Sequence, residues 1–162
     1  MDCNVEEIVK ACRGCALAAK APTTKWQLWP KTNIPWSRLH VNYAGSLKSS
    51  YYLVVVDSFS KWPAVHKCKK PTSVVTVRFL HKLFTRYGIP DTIVSDNRTQ
   101  FSSDEFRKFC KMFIIIHVTT PPYHSKSNRQ VERFVDTMKR VLKKANNEVM
   151  DDLALQQFLR VY

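Results

Sequence analysis

The chain has 162 residues, 44% of them hydrophobic, which is one domain's worth of sequence with enough apolar content for a buried core. No run approaches the ~18 apolar residues of a membrane span, and "MDCNVEEIVKACRGC" is too charged and too broken for a signal peptide. Lys and Arg number 26 against 13 Asp and Glu, a formal net charge of +13; this points to a polyanion, nucleic acid first, and away from a membrane, since no basic amphipathic end segment is evident.

Cys3, Cys12, Cys15, Cys68 and Cys110 make an odd number without a secretion signal. Free thiols in a reducing compartment follow, so a nuclear or intracellular protein is expected rather than a secreted one. Residues 1–20 read as helical and carry Cys12 and Cys15 in "KACRGC". Residues 21–36, "APTTKWQLWPKTNIPW", contain three prolines and read as an extended linker. "SRLHVNY" and "YYLVVVD" are β-rich runs, with "AGSLKSS" as a hairpin-type loop between them, and "AVHKC" is a third strand. "SVVTVRFLHKLFTRYG" places Phe79, Leu80, Leu83, Phe84 and Tyr87 on one helical face, and Gly88 ends the helix.

"DTIVSD" is a short apolar strand closing on Asp96, and "SSDEFRKFCKMF" is a helix opened by capping residues. "IIIHVTT" is a strand stopped by Pro121 and Pro122. In "SNRQVERFVDTMKRVLKKANN", Val131, Phe134, Val135, Met138, Val141 and Leu142 form the apolar stripe of a long helix. Ser127 and Gln130 have the spacing of a capping box, which would put Glu132 in the first turn. "DDLALQQFLRVY" begins another helix. Three strands followed by helix, strand, helix, strand and helix make an α/β chain with a mixed sheet flanked by helices. Ligands of such folds gather at strand ends, where Asp96 stands and where Asn42 lies within or at the end of another strand.

Exactly one pairing of acids stands out by context, Asp96 in "IVSDNRTQF" and Glu132 in "SNRQVERF", with 35 residues between them. Taken singly, an Asp at a strand end is usually a turn former, and a Glu in a first helical turn usually just favours the helix dipole. Spacing and flanks together resemble the second and third members of the D,D(35)E triad of retroviral-type integrases. The wording is closest to the integrases of gypsy-type LTR retrotransposons. "IPWSRLHVNYAG", "YYLVVVDSFSKWP", "YGIPDTIVSDNRTQFSS" and "TTPPYHSKSNRQVERFVDTMKR" carry the resemblance in order along nearly the whole chain.

The resemblance implies a ribonuclease H-like fold with a mixed five-stranded sheet and a polynucleotidyl transferase lineage. In that family three carboxylates hold two divalent ions, Mg²⁺ or Mn²⁺, suited to hard oxygen ligands. Ions ~3.5–4 Å apart activate a water or a DNA 3′-hydroxyl and stabilise the leaving oxygen. Such proteins trim donor DNA ends and join them to target DNA. Residues 1–20 would then be the remnant of an N-terminal zinc-binding module, 21–36 a linker, and 37–162 a catalytic core truncated at its C-terminus. Cys12 and Cys15 have zinc-ligand spacing, but residues 1–11 hold no His for the other half, so zinc is not expected within this chain. DNA is the expected partner, and a homodimer is a second one, since such cores commonly dimerise.

Three departures bear on activity. The first triad position is Asn42, where the family pattern "H-V-D-Y-A-G" has Asp; Asn offers a carbonyl oxygen but no charge, so Asp96 and Glu132 would hold Mg²⁺ weakly. Asp57, where the family also has an acid, reads as supporting or structural. Arg98 and Arg129 replace family glycines; a glycine there implies a positive φ or a close backbone approach, so damage is the expected effect, though an added phosphate contact is open. Electrostatic DNA contacts are expected from Lys139, Arg140, Lys143 and Lys144 on the long helix and from Lys67, Lys69 and Lys70 after the third strand; solvated surface is an equally good reading of any single lysine. By resemblance, "TTPPYHSKSN" would be the mobile active-site loop, and Asn97, Tyr123, Asn128 and Gln130 would approach DNA near the triad. The functional expectation is an integrase core with impaired catalysis. The alternatives are a weakly active integrase and a non-enzymatic DNA- or protein-interaction module.

Overall fold

The computed structural model describes residues 32–120, 125–144 and 148–161. Three antiparallel strands come first: β1 (Arg38–Leu47), β2 (Ser50–Asp57) and β3 (Pro63–Cys68). Helix α1 (Ser73–Tyr87) then carries the chain across to β4 (Thr92–Ser95), which pairs parallel to β1. A single turn, α2 (Thr99–Ser102), and α3 (Asp104–Met112) lead to β5 (Ile116–Thr119), parallel to β4. Two helices, α4 (Ser125–Lys144) and α5 (Glu148–Val161), follow. The five strands lie in the order β3-β2-β1-β4-β5, the mixed sheet expected from the sequence. Among the described residues no helix is long and apolar enough to cross a membrane.

Side chains alternate across a strand, so β1 and β2 divide their residues between two cores. Leu39, Val41, Tyr43, Leu53 and Val55 pack with Ile93 against Leu80, Leu83 and Phe84 of α1 and Phe106 and Phe109 of α3. Ala44, Tyr52, Val54 and Val56 pack on the other face against Val131, Phe134, Val135, Met138 and Leu142 of α4, with Leu155, Phe158 and Leu159 of α5 behind. The face under α4 carries the candidate site.

Local signals account for most element ends. Thr72 caps α1 by accepting from the Val75 N–H, and Gly88 ends it with φ 93°, a conformation open to glycine. Ser103 caps α3 by accepting from the Phe106 N–H. Four expectations need correction. The segment "AGSLKSS" is mostly strand: Leu47 pairs with Ser50, so the hairpin turn is only Lys48 and Ser49, both at positive φ as a type I′ turn requires. An irregularity in register between Ala44 and Leu47 absorbs the slack. Helix α4 already starts at Ser125, which puts Ser127 inside it and leaves its first turn without an acid. Ser and Asn cost a helix interior only about 0.5 kcal/mol each, so Ser127 need not mark the start. Glu132 is the eighth residue of α4 rather than a first-turn one. Tyr87 leaves the core face of α1 and packs at a tilt against Trp36, ring centroids 4.7 Å apart, while the Trp36 indole N–H donates to the Gly88 carbonyl. In the isoleucine run only Ile115 is buried, because Ile114 sits at φ 57° and turns the chain before β5. The helix expected over 1–20 and the linker up to residue 31 lie outside the described residues.

Candidate active site

The parallel register of β1 and β4 pairs Val41 with Ser95, so Asp96, the next residue, comes level with Asn42. Period-2 alternation turns Asn42 away from Val41 and Tyr43 and toward the face of Ala44, the face that α4 covers. β5 fixes the far side of this strand end: both the backbone N–H and the hydroxyl of Thr120 donate to the Ser95 carbonyl, at 2.8 and 3.0 Å. Glu132 follows Val131, which is buried in the α4 core, and so comes in over the same face, half-buried itself. Strand end, strand and helix thus bring the three sequence-predicted positions to one side of the sheet.

Their electrostatics differ from a simple acidic cluster. Burial pushes the Asp96 carboxyl above its usual range, and the backbone N–H and charge of Arg98 pull it back. Burial also raises Glu132, with a further push from the charge of Asp136. Asn42 Oδ1 accepts a hydrogen bond from the Tyr43 N–H at 2.7 Å. Among the described residues no three His, Cys, Asp or Glu side chains gather as a metal site.

Arg98 departs from one of the two readings of its position. Its backbone is at φ −64°, ψ 150°, ordinary extended geometry, so of the two readings of a glycine there, a positive φ is not what this chain adopts. The side chain acts instead. Its Nε pairs with Asp96 Oδ2 at 3.1 Å, its N–H donates to Asp96 Oδ1 at 3.2 Å, and its Nη1 donates to the Tyr43 carbonyl at 2.9 Å. An Asp-x-Arg pairing could be read from the sequence; the reach to β1, 55 residues away, could not.

Asp57 is no substitute for a triad member. It stands opposite Leu39, while Asn42 stands opposite Val54, and its carboxylate is spent on the turn that follows β2. Arg129 lies in helical backbone within α4. Asn97 is exposed beside Asp96; Arg140, Lys143 and Lys144 are exposed on the outer side of α4, and Lys139 is half-buried. Lys69 and Lys70 are exposed, whereas Lys67 pairs with Asp152 of α5 at 3.1 Å. Asn128 and Gln130 belong to α4, but their side chains lie outside the described set, as do Tyr123, Cys12 and Cys15 altogether.

The family described as Integrase core domain matches residues 34–125. The chain belongs to the integrase core domain family. An uncharacterized Caenorhabditis elegans protein is 37% identical over 164 residues, covering 100% of this chain and 13% of its own length. The Gag-Pol polyprotein of baboon endogenous virus (strain M7) is 29% identical over 153 residues, 89% of this chain and 9% of that one. The chain therefore spans a small part of these relatives. The HTLV-2 integrase catalytic core domain, solved in complex with magnesium in a trimeric form, matches with TM-score 0.61 and 27% identity over 78% of this chain and 84% of that one. The simian T-cell lymphotropic virus intasome, solved with a PP2A regulatory subunit, matches with TM-score 0.75 and 24% identity over 95% of this chain and 58% of that one, a likeness of fold. The ribonuclease H-like core expected from the sequence is the fold observed.

The donor set does not fit a pair of divalent ions. Hard dications take oxygen ligands, carboxylates among them, and two such ions would meet only Asp96 and Glu132 as anions of the triad positions here. Asn42 is neutral and its oxygen already accepts a backbone hydrogen bond, and both Asp96 oxygens face Arg98.

Proposed function

We propose that this chain is an integrase core-like domain that binds DNA but lacks strand-transfer chemistry, a polynucleotidyl transferase fold whose site no longer assembles its metals. The observation that carries this reading is Asn42 level with Asp96 on the face under α4, with its side-chain oxygen turned to the Tyr43 N–H. Magnesium, present in the HTLV-2 core, is the ion the lineage would use, with Asp96 and Glu132 as the remaining carboxylates. Here those two acids, raised by burial, have lost the third negative charge that would make a dication worthwhile.

DNA binding is supported by the net charge of +13 and by the exposed Arg140, Lys143 and Lys144. Phosphate contacts of this type give affinity without sequence choice. A non-enzymatic DNA- or protein-interaction role is therefore what the chain retains. The test measures duplex DNA affinity against salt together with nicking of DNA ends in Mg²⁺ or Mn²⁺. Affinity should fall steeply with salt, and nicking should be absent. Metal-dependent nicking that disappears in Asp96→Ala would overturn the inactive reading, and a flat salt response would overturn the DNA-binding one.

A further inference from the structure

Any ion shared by positions 42 and 96 has to sit between the middle of β1 and the residue after β4. Arg98 already spans that gap. We propose that its guanidinium is the resident counter-charge of the site, and that it closes the site to divalent metal even when a carboxylate is restored at position 42. This rests on the reading of Asn42 and Asp96 as degenerate triad positions.

The geometry is specific. One planar group reaches both sides, with Nε 3.1 Å from Asp96 Oδ2 and Nη1 2.9 Å from the Tyr43 carbonyl, the residue next to Asn42. The Arg98 backbone N–H holds the other Asp96 oxygen at 3.2 Å, so both carboxylate oxygens are engaged by one residue. Charge matches as well: the guanidinium neutralises the Asp96 carboxylate beside a neutral amide, and a dication brought to the same place would be repelled by it. Arg cannot give up its proton in a protein, so the counter-charge is permanent. Nor does the backbone require Arg there, because φ −64° suits any residue. The side chain can therefore be removed without a conformational cost.

A carboxylate at position 42 would fall beside the guanidinium and be neutralised by it. Removing Arg98 as well would leave two acids facing each other, a pair that a dication relieves. Four proteins separate these cases: the unmodified chain, Asn42→Asp, Arg98→Ala and the double variant. Each is melted in EDTA and in Mn²⁺, and Mn²⁺ binding is followed by electron paramagnetic resonance. The double variant should melt lowest in EDTA, rise by several degrees in Mn²⁺, and bind Mn²⁺ at least about tenfold more tightly than Asn42→Asp. The other three should not respond to Mn²⁺.

Asn42→Asp with Arg98 intact binding Mn²⁺ as well as the double variant would overturn the proposal. So would a folded double variant, checked by circular dichroism, that ignores Mn²⁺. Should the alanine double variant fail to fold, the same measurements on Asn42→Asp with Arg98→Gln decide, since Gln keeps a donor without the charge. None of these readouts involves DNA, so a chain that fails to bind DNA leaves this result standing, and the reverse holds too.

Discussion

Asp57, where β2 ends, and Asp96, just past β4, are two carboxylates of one sheet held in different ways. Asp57 is 2% exposed and accepts from the N–H groups of Trp36, Phe59 and Ser60 and from the Ser60 hydroxyl. Those donors are neutral, and most are backbone dipoles that the surrounding turn fixes in place. Asp96 keeps 28% of its side chain exposed, and among the described residues its carboxylate is held by Arg98. The difference separates an acid that organises a turn from an acid that a single charge keeps quiet. The first belongs to the fold, and the second is an opening that the fold tolerates.

The largest effect that could break this contrast is on Asp57. Each buried donor left unpaired costs about 1–3 kcal/mol, so Asp57→Ala should lose about 3 kcal/mol or more in urea unfolding. A loss as small as that for an exposed ion pair would erase the distinction. A middle effect concerns His117 on β5, whose Nε2 shares a hydrogen bond with Ser95 Oγ at 2.8 Å and which burial pushes below its ordinary 6.5. The unfolded chain takes that proton first, so this contribution is intact above 6.5 and is lost as pH falls from there toward the depressed folded value. Asp96 has the opposite sign: its carboxyl is raised, and its penalty is relieved as pH falls through that raised value toward 3.8. Urea midpoints compared at about pH 7.5 and 5.5 should drop for the unmodified chain and drop less for His117→Gln. The smallest effect is Asp96→Asn, which removes a partly exposed ion pair and a desolvated charge together. It should stay within about 0.5 kcal/mol of the unmodified chain. A loss of about 2 kcal/mol would make Asp96 structural after all.

Strands and helices were legible where period and punctuation agree. Leu80, Leu83 and Phe84 kept their face, Gly88 ended α1, and Ser103 opened α3. The hairpin itself was expected, but its two-residue turn was hidden because Lys48 and Ser49 adopt positive φ without the Asn or Gly that usually signals it. The start of α4 was misjudged because Ser127 can cap a helix or sit inside one. Asn42, Asp96 and Glu132 were found from words and spacing, and the register gives the first two a common level. What no local pattern could carry was the bond from Arg98 to the Tyr43 carbonyl, since it depends on two strands meeting.

The sheet's two kinds of connection also set an order of assembly. A two-residue turn joins β1 to β2, whereas Ser95 reaches Val41 only after β2, β3 and α1 have been traversed. Closing the short loop costs much less chain entropy, which favours forming the hairpin that carries Asn42 ahead of the parallel pair that brings in Asp96. The guanidinium bridge then joins the early half of the molecule to the late half. A contact made only after the folding barrier leaves the folding rate alone and slows opening, so Arg98→Ala is expected to speed unfolding and leave folding unchanged, as stopped-flow kinetics in urea would read.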